Sequence, residues 1–560
     1  NSQQIAAIDT QDVAILSTAQ ISALETMQIS GLTTQQLVAM NSQQVAALNS
    51  SQLQALSNKQ IAGIEGRDLL GLTSAQLSFL STAQIRSMTT AQLMSLKTEQ
   101  IAFLSSEKIQ ALTSRQISAL TSLQWGAMSS SQVRGLLQTQ VSALTNTALA
   151  GWGQTQIQAL DVFQLAKLGT TQIANLSSLQ IGLMTTGQIT SLSTSQVTAI
   201  SVSNIAKLSE SQIGVLSSAQ LKILSTAQIG ALNSSQIAAI DVQSIQGFST
   251  QQIRSLHSDQ ISALSTAQLS KLLTSQISAI SSVAISAMST AQLASLNANQ
   301  LRSLTTAQLS VMGSSQINSF GLAYVSALNT QQIASISSNS IAGLQSTTLR
   351  SLVTDQYKAL TTAQLFNLST TQIQAIEVAD ITAFSSMQLN AMRTDQTAAL
   401  TTQQIQALST RQIIDLSSNW IQSLTTAQVV ALTQDQVKSL RTQQINVLQS
   451  NQIQAIETRD LIGLTNHQIS SLSTIQLSRL TTSQVAALTT GQITAVQTQH
   501  IAAMSTAQVR AMTASQMAKL GTSQVAALST GQLQALTSLQ IGSLGTRSIA
   551  ALTTDQFIWL

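Results

Sequence analysis

The side chains that could do chemistry in this sequence are scattered, and their spacing matches no catalytic or metal site. Three histidines, His257, His467 and His500, lie far apart. There is no cysteine, which excludes disulfides, zinc fingers and thiol catalysis. Neither a GxGxxG loop nor a phosphate-binding loop occurs. We therefore predict a protein that is not an enzyme, with no catalytic residues, no cofactor, no metal and no small-molecule substrate.

Serine and threonine could act as nucleophiles, but they recur at fixed places in an eight-residue repeat. The 560 residues divide into 70 octads without an insertion or deletion, as in STAQISAL (17–24) and TTSQVAAL (481–488). Counting positions within each octad, the fourth is Gln in 55 octads, the fifth is apolar in 69 and the eighth is apolar in all 70. Such self-similarity predicts a repeat architecture. Residues 1–560 are expected to form one uninterrupted array, a segment of a longer one.

The pattern within an octad predicts a short helix. Ser or Thr at position one and Gln at position four make a capping box, and the apolar residues at positions eight and five flank that cap as a hydrophobic staple. Of the 20 acidic residues, 19 lie at positions one to four, as the helix dipole favours, and Asp415 is the exception. A strand explains less, because the apolar residue at position eight breaks a period of two.

A row of such helices predicts an all-α solenoid that forms an elongated rod. One continuous helix is excluded, because eight residues at 100° each would wind the apolar pair around the axis. We expect a helix over positions two to seven, a bend at positions eight and one, and an interior filled by positions five and eight. The aromatic residues at these two positions, such as Trp125, Tyr357 and Trp152, are expected to lie in that interior.

The octads that lack the fourth-position Gln follow a regular spacing. Twelve of these fourth-position residues succeed one another at steps of 40 or 56 residues: Asp12, Asp68, Lys108, Ala148, Asn204, Ser244, Ala284, Ser340, Asp380, Trp420, Asp460 and His500. If each step is a whole number of coils, they form a stripe along one side, which we interpret as a candidate assembly surface. If the steps of 40 and 56 residues are two and three coils, one coil contains about 2.4 octads. If they are three and four coils, one coil contains about 14 residues. Segmental duplication is the alternative origin of the spacing.

Charge and hydropathy narrow the possible partners. The net charge of +4 comes from 24 basic and 20 acidic residues with no dense basic stripe, so a nucleic-acid partner is not expected. No apolar run approaches the ~18 residues that span a bilayer. The predicted partner is another copy of the chain, in a fibre or bundle.

The repeated unit Leu-Thr-Thr-x-Gln-Ile-x-Ala-Leu resembles the octapeptide arrays of very long bacterial surface or secreted proteins of the adhesin-like kind. This resemblance covers the whole chain and implies an extracellular or cell-surface location in bacteria. Together with the array it favours a structural protein that forms a rigid extracellular rod or filament and associates laterally. The alternative is an adhesive or ligand-binding surface for glycan or ice, built on the ranks of Thr at position two.

Overall fold

The structure is a computed structural model that describes residues 1–560, and it contains helices and no strands. The chain divides into two compact units, Asn1–Ala287 and Met288–Leu560. In both units each octad supplies one helical element of three to six residues. The predicted all-α solenoid of very short helices is confirmed.

In the first unit every α-helix begins at position two of its octad and ends at position five, six or seven. The α-helices of this unit are Ser2–Ala6, Thr10–Ile15, Thr18–Ser22, Thr26–Ser30, Thr34–Ala39, Ser42–Ala46, Ser50–Ala55, Asn58–Gly63, Gly66–Leu69, Ser74–Phe79, Thr82–Ser87, Thr90–Ser95, Thr98–Ala102, Ser106–Ala111, Ser114–Ala119, Ser122–Gly126, Ser130–Arg134, Gln138–Ser142, Asn146–Ala150, Gln154–Ala159, Val162–Leu165, Thr170–Ala174, Ser178–Gly182, Thr186–Ser191, Thr194–Ala199, Val202–Ile205, Glu210–Gly214, Ser218–Ile223, Thr226–Gly230, Ser234–Ala239, Thr250–Ser255, Ser258–Ala263, Thr266–Lys271, Thr274–Ala279 and Ser282–Ser286. One octad forms a 3₁₀-helix instead, Ile245–Gly247.

The second unit follows the same rule in all of its octads. Its α-helices are Thr290–Ala294, Ala298–Arg302, Thr306–Val311, Ser314–Asn318, Leu322–Val325, Thr330–Ser335, Ser338–Ala342, Ser346–Arg350, Thr354–Ala359, Thr362–Asn367, Thr370–Ala375, Val378–Ile381, Ser386–Asn390, Thr394–Ala399, Thr402–Ala407, Thr410–Asp415, Ser418–Gln422, Thr426–Ala431, Gln434–Ser439, Thr442–Asn446, Ser450–Ala455, Thr458–Leu461, Asn466–Ser471, Thr474–Ser478, Thr482–Ala487, Thr490–Ala495, Thr498–Ala503, Thr506–Ala511, Ala514–Met517, Thr522–Ala526, Thr530–Gln534, Ser538–Ser543, Thr546–Ile549 and Thr554–Ile558.

The octad 81–88 shows why the chain turns once per repeat. Ser81 has an extended backbone (φ −68°, ψ 162°), Met88 is extended as well (φ −59°, ψ 143°), and the residues between them are helical. The Ser81 main-chain N–H donates to Gln84 Oε1 at 2.7 Å, and the Gln84 N–H donates to Ser81 Oγ at 3.2 Å. These two bonds satisfy donors that a helix start leaves free, so the predicted capping box is confirmed.

The interior of each unit is built from positions five and eight, as the sequence predicts. In the octad 81–88, Ile85 is 0% exposed and Met88 is 3% exposed, and the same two positions are buried almost throughout. Trp125, Trp152 and Tyr357 are buried as predicted, whereas Phe557, also at position five, is 62% exposed. Helices of four to six residues are unstable alone, so this shared core is what holds them.

Most residues at position seven are Ala, Ser or Gly, because neighbouring helices approach closely there. A Cβ atom placed on Gly31 would lie 2.5 Å from the main-chain oxygen of Ser2, three octads earlier. A Cβ atom on Gly151 would overlap the backbone of Ser122, which also lies three octads earlier. No side chain fits at these contacts.

The coil is larger than the sequence-based value of about 2.4 octads, which is wrong. Within each unit a helix packs against the helix three octads later. Hydrogen bonds also join most octads to the octad four later, as in the bond from Gln44 to Val13. One coil therefore contains between three and four octads. The value of about 2.4 rested on the assumption that the Gln-lacking octads share one face of the solenoid. The packing of octads that are three and four repeats apart does not agree with that assumption.

Candidate functional site

The most distinctive polar feature of the fold is a ladder of buried glutamines at position four. Gln436 is 2% exposed, and its Oε1 accepts the main-chain N–H of Thr433 at 2.9 Å. Its Nε2 donates to the carbonyl oxygens of Ile405 at 2.9 Å and Leu408 at 2.7 Å. Those two carbonyls belong to positions five and eight of the octad four repeats earlier. One amide therefore caps the start of its own helix and the end of another.

This second role of Gln was missed from the sequence, although a signal was present. A capping box accepts Glu as well as Gln, because only the side-chain oxygen is needed. None of the 70 octads has Glu at position four. A Glu carboxylate cannot donate to the two carbonyls of the preceding coil, whereas an amide can. The complete absence of Glu thus indicates that the N–H₂ group is required.

Several of the Gln-lacking octads keep the ladder with another donor. Asn204 Nδ2 donates to the carbonyl of Leu176 at 2.7 Å, and Ser340 Oγ donates to that of Met312 at 2.8 Å. Lys108 Nζ donates to the carbonyl of Ser78, which also lies in the octad four repeats earlier. In these octads the side chain differs, but a donor still faces the preceding coil.

Two octads place an acid at position four beside an arginine. Asp68 and Asp460 are 3% and 2% exposed, and each stands where a glutamine amide would donate. Arg67 Nε lies 3.7 Å from Asp68 Oδ2, and Arg459 Nε lies 3.6 Å from Asp460 Oδ1. Burial raises the pKa of both carboxyls, and the neighbouring guanidinium opposes the rise. Asp68 Oδ2 has no hydrogen-bond partner.

Three further substitutions bury polar groups between coils. Burial raises the pKa of Asp380, although Thr354 Oγ1 donates to its Oδ1 at 2.8 Å. Burial lowers the pKa of His500, whose Nδ1 has no partner. Trp420 is 3% exposed, and its Nε1 has no acceptor.

Ala148 belongs to an octad that packs two tryptophans together. The ring centroids of Trp125 and Trp152 are 5.7 Å apart with the planes inclined at 54°. The octad of Ala148 packs on the octad of Trp125, where Gly126 and Gly151 allow a close approach. The alanine carries no donor for the preceding coil.

Most of the twelve side chains of the predicted assembly surface lie inside the fold. Nine are buried: Asp68, Ala148, Asn204, Ala284, Ser340, Asp380, Trp420, Asp460 and His500. Asp12 is exposed, and Lys108 and Ser244 are half-buried.

The coil size also bears on their alignment within each unit. With between three and four octads per coil, a step of 56 residues (seven octads) is about two coils. A step of 40 residues (five octads) is never a whole number of coils. The 40-residue and 56-residue steps therefore cannot both bring these residues to one side of the solenoid. A role in assembly stays a prediction.

One Gln-lacking octad departs from the rest in its backbone. Tyr324 is 37% exposed, and the helix that contains it begins after Gly321. Gly321 has φ +82°, the one positive φ in the chain, which glycine adopts without the steric cost of a side chain. No capping box forms there.

The fold brings together no group of three or more His, Asp or Glu side chains that could hold a metal ion. None of the helices has the length and apolar character that crossing a membrane requires. His257 and His467 lie in separate octads away from His500, as the sequence indicates.

A family model described as the ALTTAQ repeat matches eleven segments, which together cover about two thirds of the chain. The matched segments are residues 5–41, 22–58, 61–98, 90–122, 205–242, 237–274, 285–322, 373–410, 453–490, 493–530 and 525–560. No curated protein sequence matches the chain. Among solved structures, one titled "Structure of APUM23-GGAAUUGACGG" aligns at 11% identity over 84% of this chain and 95% of that chain. Its TM-score of 0.12 is too low to indicate a shared fold.

Proposed function

Because this chain belongs to the ALTTAQ repeat family, we propose that it works as a repeat-built structural protein: a stiff, non-catalytic rod outside the cell. The observation that carries this proposal is the glutamine ladder. In regular octads such as 433–440, a buried amide joins one coil to the next through two main-chain carbonyls. An apolar core alone is non-directional. Directional bonds at most octads resist sliding and bending of one coil on another, which suits a rigid spacer.

The extracellular, bacterial setting is proposed on the resemblance of the octad to repeats of long bacterial surface proteins. Secretion of the native protein and labelling of intact cells with an antibody against this array would test it. Exclusive labelling of permeabilised cells would contradict the proposed location.

Small-angle scattering and electron microscopy of the purified chain test the rod itself. The expected particle is long, narrow and straight. A compact particle, or a flexible chain without a persistent axis, would overturn the proposal.

Lateral association between copies is part of the same proposal. Of the twelve predicted assembly residues, only Asp12, Lys108 and Ser244 are open enough for a partner to touch. Sedimentation of the chain is compared with that of a variant carrying Gln at these three positions. Weaker association of the variant supports the assembly role, and an unchanged profile contradicts it.

A further inference from the structure

Three unique exceptions to the octad rules lie close together in the second unit. Thr397 is the single non-apolar residue at position five, and Asp415 is the single acid outside positions one to four. Trp420 is the single tryptophan at position four. All three lie within four successive octads, residues 393–424. Since regular octads suffice to build the solenoid, a cluster of exceptions marks a place with an additional role.

A network of ion pairs and hydrogen bonds fixes this region. Asp415 Oδ2 lies 3.0 Å from Arg411 Nε, and Asp415 Oδ1 lies 3.0 Å from Arg441 Nη2. Asn390 Nδ2 donates to the carbonyl of Asp415 at 2.8 Å, while its Oδ1 accepts the main-chain N–H of Ser417 at 2.7 Å. These bonds connect four octads across neighbouring coils and hold the walls of a cavity in place.

The cavity has a volume of about 230 Å³ and lies against Trp420, Thr397 and Met392. It is continuous with an open groove of about 570 Å³, because Thr394, Asn419 and Ser423 line both. The indole replaces the usual Gln, so the carbonyl of Met392 has no donor. The indole Nε1 likewise has no acceptor. One donor and one acceptor beside the cavity are thus unused, and both belong to buried residues.

The charged groups around the groove are already satisfied by one another. Arg393 Nε pairs with Asp395 Oδ1 at 3.0 Å, and its Nη2 donates to the carbonyl of Leu368 at 3.3 Å. Arg411 and Arg441 share Asp415. Each arginine thus has a carboxylate within 3.0 Å, and no free pair of carboxylates is left to hold a metal ion. The three arginines outnumber the two aspartates by one, so an anionic sugar serves as the comparison ligand.

The neutral groups of the groove are free. The side-chain amides of Asn419, Gln422 and Gln449 line it and make no hydrogen bond within the protein. Each amide both donates and accepts, as each sugar hydroxyl does. We propose that this groove binds an uncharged oligosaccharide, with one sugar ring in the cavity beside Trp420 and the next along the three amides.

Fluorine NMR of the full chain labelled with 5-fluorotryptophan tests the proposal. The chain has four tryptophans, and Trp420→Phe identifies the resonance of Trp420. The probes are cellobiose, maltose, lactose and N,N′-diacetylchitobiose, with digalacturonate as the anionic comparison. At least one neutral disaccharide should shift the Trp420 resonance. The variant Asn419→Ala/Gln422→Ala/Gln449→Ala should weaken that binding by about tenfold or more, because three hydrogen-bonding groups are lost.

A matched control removes amides from the same octad positions elsewhere. Gln403 and Gln406 are exposed at positions three and six, two octads before Asn419 and Gln422. Gln403→Ala/Gln406→Ala should bind as the unchanged chain does. The proposal is overturned if no neutral disaccharide moves the resonance, if the triple variant binds normally, or if only digalacturonate binds. None of these outcomes bears on whether the chain is a rod.

Discussion

At the scale of single residues, glutamine is the residue on which the fold depends most directly. Its oxygen and its N–H₂ group face different partners: Gln52 Oε1 accepts the N–H of Asn49 at 2.8 Å, and Nε2 donates to Ile21 and Leu24 at 3.0 and 2.7 Å. Only an amide of this length does both, because Glu lacks the donor and Asn is one methylene shorter.

Gln52→Glu therefore separates the two roles. The carboxylate can still accept the N–H of Asn49, but it faces two carbonyl oxygens that lose their donor. We expect the free energy of local unfolding to fall by about 1–3 kcal/mol, as it does when buried polar groups are left unsatisfied. Hydrogen exchange of the amides in octads 17–24 and 49–56 measures it. Gln54→Glu, two residues away and exposed, serves as the control. Equal effects at both sites would contradict the ladder.

The buried aspartates predict a dependence on pH. Burial raises the pKa of Asp68 in the folded state above its ordinary value of 3.8. The stability contributed by the neutral carboxyl is fully present below the unfolded-state pKa. It is lost as pH rises through the folded-state pKa.

Asp68→Asn should remove that loss and supply a donor, as Asn204 does for Leu176. We expect the variant to be more stable by about 1 kcal/mol near pH 7, with the gain disappearing in acid. Hydrogen-exchange protection of the Leu69 and Leu72 amides, followed from acid pH to about pH 7, measures the effect. Asp435→Asn, at an exposed position three, should change little. A gain that persists in acid would exclude a titrating Asp68 as the cause.

At the scale of the element, the octad is a unit that caps itself and is interchangeable with its neighbours. Its N-terminal box is local, whereas its core and its Gln bonds are made with octads three and four repeats away. Because every neighbour offers the same carbonyls, an octad depends on register more than on which octad it meets.

The interchangeability of octads predicts opposite outcomes for two changes in the length of the chain. Inserting one residue between Leu232 and Asn233 separates a staple from its capping box. It should raise hydrogen exchange in the adjacent coils only, since coupling is between neighbours. Deleting the whole octad 225–232 should leave helical content per residue and exchange protection almost unchanged. Comparable damage from both changes would contradict the interchangeability of octads.

At the scale of the whole molecule, stability comes from stacking coils, because no octad has a core of its own. A rung of the ladder needs two octads four repeats apart. A peptide shorter than that contains capping boxes and no rung.

Residues 425–448, three octads, should therefore be unfolded by circular dichroism. Residues 353–448, twelve octads from the same unit, should be helical, because rungs and shared core then form. Substituting Leu for the ten fourth-position glutamines of the longer fragment provides the control. The substituted fragment should have a lower helical content than the unchanged fragment, although both have the same number of residues. A helical three-octad peptide would show that local capping alone stabilises the helices.

The sequence alone determined what is local in this protein. The short helix, the cap at position one, the bend at positions eight and one, and the assignment of Ile85 and Met88 to the core are all predicted by the residue pattern within eight residues. Only the tertiary structure decided which octads are neighbours. Identical repeats do not indicate their partners, so the coil size and the bonds of Gln436 to Ile405 and Leu408 were not predictable. The same reason explains why burial of the fourth position was not predicted: Gln436 donates to a carbonyl 28 residues earlier in the chain, and Trp420 at the same position is buried as well.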